Sequence, residues 1–139
     1  MMVLQHLNWL AVAVSAIAYF ALGAIWFGPV FGKIWMKGHG ITPPTDEEKK
    51  NMNMGMIFGM SFLKTVVMVI LTAYVSMIIN YNGNMMTALK IGAVLGGISA
   101  FPIGINYLFL KKPFSIWVLD GGYHACGVVI TSVILSVWR

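Results

Sequence analysis

The stretch from Phe114 to Trp138 reads FSIWVLDGGYHACGVVITSVILSVW. About 20 consecutive, mostly apolar residues make a membrane-spanning α-helix, and this run is long enough. Yet it carries Asp120 and His124, four positions apart. A second apolar run, Met54 to Ile79, is interrupted by Lys64. Ionisable side chains at membrane depth are costly, usually face the protein interior, and mark candidate functional sites.

Working outward, the whole chain fits the same reading. Of its 139 residues, 59% are hydrophobic and only 9% charged, against roughly 25% charged in soluble domains. A chain this short cannot hide so much apolar surface in one core, so lipid must solvate much of it. Four spans are predicted: Leu7 to Phe27, Met56 to Ile79, Met86 to Phe109 and Ser115 to Val137. The runs are continuous and lack strict alternation, which favours helices over barrel strands. The predicted fold is an all-α integral membrane protein. It has a single four-helix transmembrane domain over residues 1–139, with a short interfacial helix after the first span. Met1 to Asn8 holds no basic residue, and the first run is longer than a signal-peptide core, so it reads as a retained span.

Local signals place the connections. Gly28-Pro29 ends span 1, because proline removes a donor and disfavours helix before it. Val30 to Lys37 sets Phe31, Ile34 and Trp35 against Lys33 and Lys37, the pattern of a helix lying at the membrane surface. Thr45 with Glu48 forms a capping box, which predicts a helix starting near Asp46 in water and running on into span 2 near Met56. Asn80 to Asn84 contains an Asn-Gly turn. Pro102 is expected to kink span 3. Lys111-Lys112-Pro113 makes the last turn.

The net charge is +5. The bases cluster beside spans and are not interleaved with aromatics, so nucleic acid is not indicated. Lys33, Lys37, Lys49, Lys50, Lys111 and Lys112 fall on one side, and only Lys90 and Arg139 on the other. By the positive-inside rule the lysine-rich side is cytoplasmic and both termini face out. Trp9, Tyr81 and Trp138 suit the outer aromatic belt; Trp35, Tyr107 and Trp117 suit the inner one.

At about 1.5 Å per residue, Asp120 lies roughly 9 Å into span 4. Lys64 enters span 2 from the same side, and His124 sits one turn deeper on the Asp120 face. Asn106 on span 3 and Trp26 on span 1 reach that level. The predicted intramembrane polar cluster is therefore Trp26, Lys64, Asn106, Asp120, Tyr123 and His124, with a Lys64–Asp120 contact, direct or through water, that would let both stay charged. The plainer readings are a snorkelling Lys64, an Asp120 that only clasps neighbouring helices, and a satisfied interior His124.

Ala88, Gly92, Gly96, Ala100 and Gly104 recur every fourth residue on span 3. Small residues let helices approach closely in lipid, either within the four-helix unit or between copies. Met52, Met56 and Met60 share one helix face with Met54 nearby, but methionine also serves as apolar filler, so copper is not favoured. His6 and His39 are assigned to opposite surfaces. Cys126 is the only cysteine, no zinc-like spacing exists, and no phosphate loop or nucleophile turn is present. No cofactor, metal site or catalytic residue is predicted, and enzymatic activity is not indicated.

Several segments, in order, resemble a family of small bacterial membrane proteins known as domain of unknown function 1761. They are Asn8-Trp9, Ala21-Leu22-Gly23, Trp26-Phe27-Gly28-Pro29, Lys33-Ile34-Trp35, Asn106-Tyr107-Leu108-Phe109, Lys111-Lys112-Pro113 and Asp120-Gly121-Gly122-Tyr123-His124. The resemblance implies four spans in a bacterial inner membrane and carries no established activity. Three functions stand open. The first is a small proton-linked transporter or channel for an unidentified solute or ion, using the polar cluster. The second is a structural or partner-binding membrane protein whose polar layer only fixes helix packing. The third and weakest is a membrane enzyme acting on lipid or quinone, with His124 as a base. The expected partners are the lipid bilayer and further copies of the chain in a homo-oligomer.

Overall fold

The computed structural model describes residues 6–79 and 83–138. Helix α1 is Trp9–Ile25, started by Asn8, whose side chain accepts from the amides of Leu10 and Ala11 at 3.1 Å each. It passes into a wide turn at Trp26–Val30, closed by Phe31 N–H on the Trp26 carbonyl at 2.9 Å. Gly28 leaves helical geometry there (φ −96°, ψ −105°) just before Pro29. Helix α2, Gly32–His39, follows at once. It ends in a Schellman motif: Gly40 takes φ +70°, Ile41 N–H reaches the Met36 carbonyl and Gly40 N–H the Lys37 carbonyl. Glycine is the residue that adopts this left-handed cap without strain.

The Thr45–Glu48 capping box forms as expected and starts α3, Asp46–Asn51. The continuous helix predicted from Asp46 into the membrane is not found. Met52 turns extended (ψ 124°), and the Asn53 side chain accepts from Met56 N–H at 3.0 Å. An asparagine that satisfies the amides ahead of it starts a new helix instead of continuing the old one. That helix is α4, Met54–Ile79. Helix α5, Met85–Phe109, is capped by Asn84 and stays helical through Pro102. Helix α6, Phe114–Val137, begins after Pro113. Gly83 takes φ +68°; the expected Asn-Gly turn falls on residues 80–82, Tyr81 among them, which, with Arg139, lie outside the described residues.

Four helices are long and apolar enough to cross a membrane: Trp9–Val30, Met54–Ile79, Met85–Phe109 and Phe114–Val137. The protein is thus an all-α bundle with four candidate spans, and no strand occurs among the described residues. Large apolar side chains cover its outside, from Ile17 on α1 to Met56, Val94 and Phe109 on the others. Such a surface is stable against acyl chains and unstable against water.

Helix α6 is the axis, packing on α1, α2, α4 and α5. Its contact with α5 runs along the small-residue stripe. A methyl group on Gly92 would stand 2.8 Å from Val129 Cα, and one on Gly96 2.8 Å from Ala125 Cα. Ala100 meets Gly121, and Gly104 makes room for the Trp117 indole, whose N–H donates to the Ala100 carbonyl at 2.9 Å. On the opposite face of α6, Gly127 admits the ring of Tyr19, which lies fully buried with Ala16, Val69 and Val128. In lipid, where apolar burial between helices gains little, this close fit supplies much of the cohesion.

Two predictions follow from this packing and capping. Gly96→Ala should lower stability by about 1–3 kcal/mol, because backbone meets backbone and must move. Gly97→Ala, whose methyl group meets only the edge of Phe101 at 4.0 Å, should be neutral or gain up to ~1 kcal/mol of helix propensity. Unfolding in detergent measures both. The backbone hydrogen bond from Thr45 holds the Glu48 carboxyl below its ordinary range. The cap is therefore intact above the usual glutamate titration and is lost as pH falls through the lowered one. The Thr45 amide resonance should titrate with a midpoint below that of an unstructured glutamate.

Candidate functional site

Asp120 sits in the second turn of α6 and is buried. Trp35 Nε1 donates to its Oδ1 at 2.8 Å. His39 Nε2 lies 3.0 Å from Oδ2, and the Tyr107 hydroxyl donates to that same oxygen. A carboxylate only accepts, so the His39 nitrogen that faces it carries a proton. Trp35 and His39 are one turn apart on α2, with rings 4.7 Å apart, and His39 also lies edge-on to Tyr107 at 5.7 Å.

Helix α2 is therefore folded back against α6. Gly38 permits this, because any side chain there would overlap Ile116. Lys112 Nζ donates to the His39 carbonyl at 3.0 Å, placing a cation at the C-terminus of α2, where the helix dipole favours it. Trp26 Nε1 adds a bond to the Leu119 carbonyl at 3.1 Å.

The polar residues predicted to form one layer divide into separate places. Asp120 joins Trp35, His39 and Tyr107. Trp26 is next to it but bonds the backbone of α6. Asn106 faces outward from α5 and is exposed. Lys64 does not reach Asp120: the carboxylate's partners come from α2 and α5, while Lys64 lies on α4. Depth along a span fixes a residue's level but not the direction it faces, so equal depth did not imply contact. His39, assigned to a surface apart from any site, is instead a partner of Asp120. Its signal was there: Trp35 and His39 are spaced to share a helix face, with a small Gly38 between them.

His124 and Tyr123 belong to a second place. The Tyr19 hydroxyl lies 2.9 Å from His124 Nδ1 and 3.4 Å from the His124 carbonyl. The Tyr123 ring packs edge-on to Tyr19 at 5.4 Å and to Phe27 at 5.0 Å. These groups form one wall of a partly open cavity of about 550 Å³ between α1, α4 and α6. Lys64, Ser61 and Thr65 line the α4 wall, and Phe20 and Phe27 the α1 wall. That volume is in the range of small-molecule sites, ~300–1,000 Å³. Among the described residues no group of histidine, cysteine and acidic side chains could hold a metal ion.

Fold and site together define a multi-pass α-helical membrane protein with a polar clasp and an internal cavity. The chain belongs to the family described as a protein of unknown function, DUF1761, which matches residues 10–136. No curated protein and no solved structure matches it.

Replacing Asp120 by Ala leaves three part-buried donors without their acceptor, a loss of up to about 1–3 kcal/mol for a group that water does not reach. Amide exchange over residues 32–39 should rise at least about tenfold in Asp120→Ala and less in Asp120→Asn, which keeps one acceptor oxygen. Unchanged exchange in both would show that α2 is held by the Gly38–Ile116 contact alone.

Proposed function

We propose that the protein is a small proton-linked carrier whose solute site is the cavity between α1, α4 and α6. It would sit in a bacterial inner membrane, with the lysine-rich end in the cytosol and both termini outside. The observation that supports this reading is the cavity itself: a mainly apolar space with a few convergent polar groups, the form that ligand sites take. His124 is the proton-exchanging group of this reading, because its ring is on the cavity wall. Asp120, already engaged by Trp35, His39 and Tyr107, keeps α2 in place. Lys64 is the charged member of the cavity wall.

One observation favours the structural alternative. The Asp120 clasp joins α2, α5 and α6 through hydrogen bonds that leave little for a solute to use, as expected of a layer that only fixes packing. In that reading further copies of the chain, or another membrane protein, would cover the apolar outer faces.

Access separates the two. With Cys126→Ser as background, Ser61→Cys places a thiol on the cavity wall. A carrier exposes its site to each side in turn, so a membrane-impermeant maleimide should label this thiol in both right-side-out and inverted vesicles. Labelling from one side only, or from neither, removes the carrier reading; the latter result supports the structural one.

A further inference from the structure

Lys64 has no acid of its own. The chain holds four acidic residues. Asp46, Glu47 and Glu48 are in α3, outside the spans, and Asp120 is taken by donors from α2 and α5. The ion pairs among the described residues are His39–Asp120 and Lys49–Asp46. Lys64 nevertheless lies ten residues into α4, roughly 15 Å along its axis. Its side chain is exposed and lines the cavity, and no acidic side chain pairs with it among the described residues.

Lys64 also shares its cavity with His124, which is equally far into α6. Tyr19 engages His124 at Nδ1, so Nε2 has no partner among the described residues. The other polar groups nearby are already committed: Ser61 donates to the Ile57 carbonyl at 2.8 Å and Thr65 to the Ser61 carbonyl at 3.0 Å. Lys64 is the cation of this wall, and the His124 imidazole and the Tyr123 hydroxyl stand with it on the lining. Around them the wall is aromatic. Phe20 packs edge-on to Phe62 at 5.4 Å and to Phe58 at 6.5 Å, joining α1 to α4.

We infer that the cavity binds a hydrophobic organic monoanion, a carboxylate carried on an apolar body. The carboxylate lies between Lys64 Nζ and His124 Nε2, and the body lies against Phe20, Phe27 and Phe58. A phospholipid keeps its headgroup at the bilayer surface, whereas an anion that touches His124 must enter whole. This favours a free acid over a lipid. The inference rests on the reading of the cavity as a ligand site, though not on transport.

The test uses the full chain in nanodiscs of neutral phosphatidylcholine, with radiolabelled octanoate in a proximity binding assay. Saturable binding is expected, with octanol competing at least about tenfold less well, since a hydrogen-bonded charge contributes that much. Lys64→Met should weaken octanoate binding at least about tenfold and Lys64→Arg should restore most of it. Ala24→Phe, which fills the cavity from α1, should abolish binding. Equal binding of octanoate by wild type and Lys64→Met overturns the inference, as does equal competition by octanol. Displacement of octanoate when phosphatidylglycerol is added to the nanodisc also overturns it, in favour of a lipid headgroup. Octanoate binding that persists without two-sided labelling of Ser61→Cys removes the carrier and keeps this site. Two-sided labelling without octanoate preference does the reverse.

Discussion

A buried carboxylate must be satisfied or it will not stay buried as a charge, and the lysine-rich end of this protein is organised around that requirement. Asp120 takes its hydrogen bonds from Trp35, His39 and Tyr107. Two of these come from α2, a helix of only eight residues, too short to be stable in isolation. Its position is fixed by what it gives to Asp120, by the approach that Gly38 allows, and by Lys112 at its C-terminus. The wide turn at Trp26–Val30 breaks the helix between α1 and α2 so that this docking can happen.

The deeper part of the bundle depends on size more than on polarity. Small residues bring α5 onto α6, and Gly127 opens the other face of α6 to Tyr19. That ring in turn holds His124 through its hydroxyl. The orientation of the imidazole on the cavity wall thus depends on a missing side chain one turn away on the same helix. Close packing and a polar wall are, at this point, one arrangement.

Much of the fold was legible in the sequence, because a span declares itself by length and hydropathy alone. The cap at Thr45, the stop at Gly28-Pro29 and the small-residue stripe could all be read for the same kind of reason: each is a local property of a few residues. The site was legible in its members on α6 and in Lys64 on α4. Asp120 and His124 stood out as ionisable groups in an apolar run, but their partners could not be assigned. Lys64 shared a level with Asp120 and faced elsewhere, since helix rotation and neighbour order are set by packing across the bundle. Trp35 and Tyr107 passed for interfacial aromatics and His39 for a surface histidine, because nothing local says that an amphipathic helix will fold back onto a carboxylate. The break at Asn53 was missed because the capping box at Thr45 announced a helix and Asn53 was not read as the start of a second one.

That break has a mechanical meaning. Helix α3, with its three acids and two lysines, is joined to α4 through an extended residue and a fresh cap, so torque on it is not transmitted as rotation of the span. Ile57 and Phe58, in the first turns of α4 and at the rim of the cavity, are thereby decoupled from whatever the charged segment meets in water. No continuous run of helical hydrogen bonds joins the charged segment to the rim.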